Sequence, residues 1–166
     1  MGARGILILG ESGTGKSTSL ENLPSKETFI INIKGKDLPF KGWKSGYQVF
    51  NENNRNGNYI QTESADVIIK ALDYVSANMP HIKYIIIDDF QYMAASEFMR
   101  KAAEKGFDKF TSIGKNIYNV ADHHTKLRND LTVIYLNHLE ETTTEMGDRK
   151  TKAKTVGELI CPYLFN

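Results

Sequence analysis

The stretch Ile6-Leu7-Ile8-Leu9-Gly10-Glu11-Ser12-Gly13-Thr14-Gly15-Lys16-Ser17 joins an apolar run to the full pattern G-x-x-x-x-G-K-[ST]. The run is continuous and not alternating, so it predicts a strand buried on both faces, as in a parallel sheet. The residues after it have the chemistry of a phosphate cradle. Glycine tolerates the positive φ angles and close approach that let backbone N–H groups wrap an anion. Gly10, Gly13 and Gly15 supply that freedom, and Glu11, Ser12, Thr14 and Thr18 complete the candidate binding segment. Residues 16–23 predict a helix with its N-terminus toward the anion, closed by Pro24. Lys16 brings a cation to the β- and γ-phosphates, and the Ser17 hydroxyl is a hard oxygen ligand for Mg²⁺. With average residue usage, the motif arises by chance in roughly one chain in two hundred of this length. Its place between a strand and a helix makes it more specific.

Outward from the motif, strands and helices alternate. Residues 28–33 (TFIINI) predict a strand, 34–45 a Lys/Gly/Pro-rich loop, and 46–50 a third strand. The Asn-rich segment 51–58 predicts a surface loop. Ser64 reads as an N-cap, followed at helical spacing by Ala65, Ile68, Ile69, Leu72, Val75 and Met79, with Pro80 closing the helix. Tyr84-Ile85-Ile86-Ile87 is the strongest strand signal and ends in Asp88-Asp89. Residues 90–105 predict a helix stopped by Gly106; Phe110, Ile113, Ile117, Val120 and Leu127 mark another. Residues 131–136 predict a strand, and 140–154 a polar, charged loop. This order predicts one α/β domain over residues 1–166, three layers around a mostly parallel sheet.

Composition narrows the function classes. The chain has 166 residues, 40% hydrophobic and 25% charged, which suits one globular domain. Lys plus Arg is 21 against 20 Asp plus Glu, so a globally basic nucleic-acid binder is not indicated, though a local patch is allowed. The single cysteine, Cys161, excludes an internal disulfide and a Cys-based zinc cluster and fits a reducing cytoplasm. No apolar run approaches the ~20 residues of a membrane helix, and none at the N-terminus suits a signal peptide, so a cytoplasmic protein is expected.

Asp88 stands where a buried strand reaches the carboxyl edge of the sheet, beside the loop, and is expected to hold Mg²⁺ through water. Asp89 is a candidate to orient or activate the attacking water, or else to cap the next helix. At the end of the following strand, His138 or Asn137 can touch the γ-phosphate, with Glu140 and Glu141 nearby. His123 and His124 are adjacent on a predicted helix, so they cannot share a metal and read as structural. Trp43 and Tyr47 suit packing over the sheet better than stacking on a base. Arg149, Lys150, Lys152 and Lys154 form a basic run that can bind a DNA backbone or enter a neighbour's ATP site.

The succession of phosphate loop, FIINIKGKDLPF, YIIIDDFQYM and VIYLNHLEE resembles the RecA-like P-loop ATPases of bacteriophages, over residues 5–157. Some members are implicated in single-strand annealing and recombination. The resemblance implies a RecA-type core with ATP and Mg²⁺ at the interface of a homo-oligomer, and single-stranded DNA as a partner. It places Lys16 and Ser17 on phosphate and Mg²⁺, Asp88 as the second-motif acid, and His138 at the γ-phosphate-sensing position. It puts the segment of Lys152 and Lys154 where relatives contact DNA or a neighbouring subunit. Members continue past residue 157 with further strands, so this chain is expected to be either a naturally short member or one from which C-terminal strands are missing. Two other readings share the loop: a small-molecule kinase, and a nucleotide-dependent switch without turnover. A kinase lid clamps phosphates with several arginines, whereas Arg4, Arg55, Arg100 and Arg128 are scattered.

Overall fold

A computed structural model of the chain describes residues 2–143 and 149–153. Six strands, β1 (Arg4–Gly10), β2 (Thr28–Asn32), β3 (Tyr59–Gln61), β4 (Tyr84–Asp88), β5 (Thr132–Thr143) and β6 (Arg149–Ala153), form one sheet. Five of them pair in parallel in the order β1-β5-β4-β2-β3, and β6 pairs antiparallel with the outer part of β5. Four α-helices accompany them: α1 (Trp43–Gly46), α2 (Ala65–Asn78), α3 (Gln91–Arg100) and α4 (Asp108–Asp122). The class is α/β with a parallel sheet, as the alternation of elements predicts. Among the described residues, no helix is long and apolar enough to cross a membrane.

The central strands explain their own position. TFIIN and YIIID are apolar at successive residues, so both sheet faces around them must be covered. Alternation sends Phe29, Ile31, Ile85, Ile87, Val133 and Tyr135 into one core, packed by α2, α3 and α4. It sends Ile30, Ile86 and Leu136 into a second core, closed by Leu20, Leu38, Tyr47 and Tyr59. Trp43 lies 5.2 Å from the Tyr59 ring in that second layer, so the aromatic loop packs on the sheet.

Several expected elements differ. β1 is not buried on both faces: Ile8 is 37% and Leu9 40% exposed, because β1 pairs only with β5 among the described residues. The helix expected over 16–23 is a 3₁₀ turn, Thr18–Asn22. Its sequence, KSTSLENL, is too short to nucleate a helix cheaply, and the Ser19 hydroxyl donates to the Lys16 carbonyl at 2.6 Å. The strand expected at 46–50 is replaced by α1 and a single bridge from Val49 to Tyr59; the third paired strand is β3 instead. The Asn-rich loop is more built than its polarity suggests, since Asn58 Nδ2 donates to the carbonyls of Ser25, Thr28 and Gly46. Ser64 precedes α2 as expected, but its side chain makes no capping bond. The helix expected at 90–105 ends at Arg100, and His123 and His124 fall in a 3₁₀ turn after α4. His123 lies 2.6 Å from Asp73, and His124 Nδ1 lies 2.7 Å from the Ala121 carbonyl.

The polar loop expected over 140–154 is a β-hairpin arm where it is described. β5 continues to Thr143, and β6 returns beside it with Ala153 opposite Leu139. The chain end after residue 157, expected to be naturally short or to lack strands, lies outside the described residues.

One part-buried cation ties the end of α2 to the turn before β4. The Arg128 guanidinium donates to the carbonyls of Val75, Ser76, Met79 and Ile82, and so satisfies the C-terminal end of α2. Arg128→Ala is expected to cost about 3 kcal/mol, because it leaves several part-buried carbonyls unpaired. Urea unfolding measures this. Arg100→Ala, which loses only an exposed 3.9 Å pair with Glu63, is expected to cost under about 1 kcal/mol.

Candidate functional site

Parallel pairing brings the strand ends to one edge of the sheet. Gly10 pairs with His138, and Asn32 pairs with Asp88. The loop after β1 turns on two glycines in the left-handed region, Gly13 at φ 82° and Gly15 at φ 87°. A side chain there meets open space, so the constraint is conformational. Gly10 is constrained differently: a Cβ would come within 2.8 Å of the Thr14 hydroxyl. The Thr14 hydroxyl donates to the Glu11 carbonyl at 2.9 Å and closes the turn.

A cavity of about 240 Å³ sits above this edge. It is lined by Ser12, Gly13, Gly15, Lys16, Ser17 and Thr18 from the loop, and by Asp88, Asp89 and His138 from the ends of β4 and β5. Gly10, Glu11 and Thr14 line the neighbouring concavity with Ile8 and Leu9, although Lys16 reaches both. The structure thus brings together most of the residues singled out from sequence. Arg149, Lys150 and Lys152 lie on β6 and not in the loop expected for them, and Lys154 lies outside the described residues.

The polar contacts in the cavity form a chain. Lys16 Nζ donates to the carbonyls of Gly10 and Glu11, both at 2.7 Å. Its pKa is lowered by desolvation, with Asp89 and Asp88 pulling the other way. The Ser17 hydroxyl donates to Asp88 Oδ1 at 3.0 Å. Asp89 Oδ1 lies 3.6 Å from His138 Nε2 and 3.5 Å from Gln91 Nε2. Gln91 Oε1 in turn accepts from the His138 backbone N–H at 3.2 Å. Asp89 has φ 61° and is the non-glycine residue with positive φ among the described residues. That is uncommon backbone for a non-glycine residue, and such conformations concentrate at functional sites. α3 begins after it, at Gln91, with Phe90 at the N-cap position, and the Asp89 carbonyl accepts from the Tyr92 N–H at 2.9 Å.

Lys36, Asn32, Gln91 and Tyr92 belong to the same constellation and escape a motif-based reading. Lys36 and Asn32 line the cavity. Lys36 follows β2, whose end must share the edge with the glycine-rich loop once the sheet is parallel; that is the signal that could have found it. Gln91 and Tyr92 carry no motif and acquire meaning only from the turn at Asp89.

Compared by sequence, the chain matches no family model and no curated protein.

Asp88 carries a strong electrostatic signature. Burial, and next the charge of Asp89, raise its pKa from 3.8 to about 6, against the opposing Ser17 bond. A carboxyl with a raised pKa stabilises the fold most below its unfolded value and loses that contribution as pH rises through about 6. At neutral pH the ionised group therefore costs up to about 3 kcal/mol. Asp88→Asn is expected to raise the urea midpoint at pH 7.5 in the absence of Mg²⁺, and the two proteins should converge toward pH 4. A variant less stable than wild type at pH 7.5 would refute the burial penalty.

Proposed function

We propose that this protein binds ATP with Mg²⁺ and hydrolyses it to ADP and phosphate. The observation that carries this reading is the convergence of Lys16, Ser17, Asp88, Asp89 and His138 on one cavity around a glycine-rich turn. The residues fit the cation. Mg²⁺ binds through one or two protein oxygens and completes its shell with phosphate oxygens and water. Ser17 Oγ and Asp88 Oδ1, 3.0 Å apart, suit that arrangement. Among the described residues there is no cluster of three or more His, Cys, Asp or Glu able to hold a metal, so the ion's remaining ligands come from nucleotide and solvent. When bound, Mg²⁺ supplies positive charge to the phosphate oxygens.

The chain's own groups do the rest. Lys16 exchanges its bonds to the loop carbonyls for phosphate oxygens. Loop N–H groups hold the β-phosphate while the γ-phosphate faces β4 and β5. The Asp89 carboxylate accepts a hydrogen bond from a water and aims its oxygen at phosphorus, in line with the leaving ADP oxygen. His138 flanks Asp89 and contacts the phosphate that is released. Positioning and charge, not a covalent intermediate, account for the rate.

The proposal extends, on the resemblance to RecA-like phage ATPases, to coupling with single-stranded DNA and to a homo-oligomer with ATP between subunits. The basic run of Arg149, Lys150, Lys152 and Lys154 supports the DNA part. Phosphate release by purified protein, with and without single-stranded DNA, tests both. Turnover that rises with DNA is expected, and Lys16→Ala should lower it at least about 100-fold. Nucleotide binding without turnover under either condition would leave a switch and overturn the hydrolase. Turnover indifferent to DNA would remove the coupling alone.

A further inference from the structure

Lys36 is the second lysine of the cavity, and it stands across from the phosphate loop. Its backbone is held from inside the fold. Asn32, 2% exposed, donates from Nδ2 to the Lys36 carbonyl and accepts at Oδ1 from the Gly35 N–H, both at 2.7 Å. Gly35 has φ 69°, and a Cβ there would overlap the Gln61 amide. The turn that presents Lys36 is thus specified by a buried clamp and by a residue that only glycine fits.

The side chain is aimed as well as anchored. Lys36 Nζ lies 3.9 Å from Asp89 Oδ2. It also lies 5.6 Å from the centre of the Tyr92 ring, which packs edge-on to His138 at 6.0 Å. Lys34 Nζ occupies the same ring at 4.8 Å. Lys36 thus pairs with Asp89, while Lys34 shares only the Tyr92 ring. Lys36 is 65% exposed, so its ammonium stays hydrated and the pair with Asp89 is weak. It can change partner by side-chain rotation alone.

We infer that Lys36 is the reader of the terminal phosphate: it distinguishes a nucleoside triphosphate from a diphosphate and regulates Asp89. This rests on the triphosphate reading of the cavity. Ser17 and Asp88 hold the metal in that reading, and Asp89 and Lys36 line the same cavity as a separate pair 3.9 Å apart, which leaves them to meet the terminal phosphate. A γ-phosphate carries more charge than one carboxylate and takes Lys36 from Asp89. Asp89 Oδ2 is then released to accept from water, while Oδ1 stays beside Gln91 and His138. A diphosphate leaves Lys36 on Asp89, so the acid stays engaged. One lysine thus couples occupancy by the correct nucleotide to release of the group that orients water, without a residue from a second subunit.

The test compares affinities for Mg²⁺-ADP and for a non-hydrolysable Mg²⁺-ATP analogue by calorimetry, in wild type, Lys36→Met, Lys36→Arg and Lys16→Ala. Lys36→Met is expected to weaken the analogue about tenfold and ADP less than twofold. Lys36→Arg should recover most of the loss, and thermal melts should show the exposed variants folded as wild type. Equal loss for both nucleotides, or no loss for either, would overturn the inference. If wild type binds neither nucleotide, or Lys16→Ala binds both as well as wild type, the phosphate-loop reading itself fails. That outcome is distinct from a failure of Lys36 alone.

Discussion

Parallel pairing forces the strand ends to the same edge, and the candidate site is assembled by that constraint. β1, β5, β4 and β2 lie side by side with a common direction. The residues that follow them meet whatever their separation along the chain. Ser17 and Asp88 are 71 positions apart and share a hydrogen bond. Reversing one strand would move its terminal acid to the opposite edge, and no local loop could restore it. The apolar runs of β2 and β4 are therefore as much part of the site as the glycines, since burial on both faces is what suits a strand to the middle of such a sheet.

How much of this was legible depended on the kind of signal. The glycine-rich turn after β1 could be read because its residue types are dictated by backbone geometry: two glycines are needed where φ is positive, and they are present at Gly13 and Gly15. β4 could be read because YIIID has no alternative to burial. β1 was misjudged for the complementary reason. Four apolar residues in a row say that a strand is hydrophobic, but not how many neighbours it has, and Ile8 and Leu9 are partly exposed at the sheet's edge. The segment 16–23 carries helix-compatible residues, yet the Ser19 hydroxyl bonds the local backbone and the Ser17 hydroxyl turns to Asp88 instead.

Contacts made by tertiary assembly leave the faintest trace. Tyr59-Ile60-Gln61 is too short for periodicity to detect, and it becomes a strand only because β2 offers an open edge beside it. Asn32 looks like one more residue of TFIINI, but its burial turns it into a clamp for the turn of Lys36. Gln91 illustrates the same point at the other wall, where its amide joins the Asp89 carboxylate to the backbone of His138. None of these roles follows from residue type alone. Each follows from a partner that the folded backbone brings within reach.

β5 has a mechanical consequence. It runs without a break from Thr132 to Thr143, and β1 accompanies it only as far as His138. The five residues beyond, braced by β6, form an arm of about 17 Å at the usual rise per strand residue. His138 is the fulcrum: it is the last position paired to β1 and is bonded through its backbone to Gln91. A small tilt imposed there is magnified along the arm, so a displacement of one bond length at the cavity's edge becomes a larger one at the arm's far end.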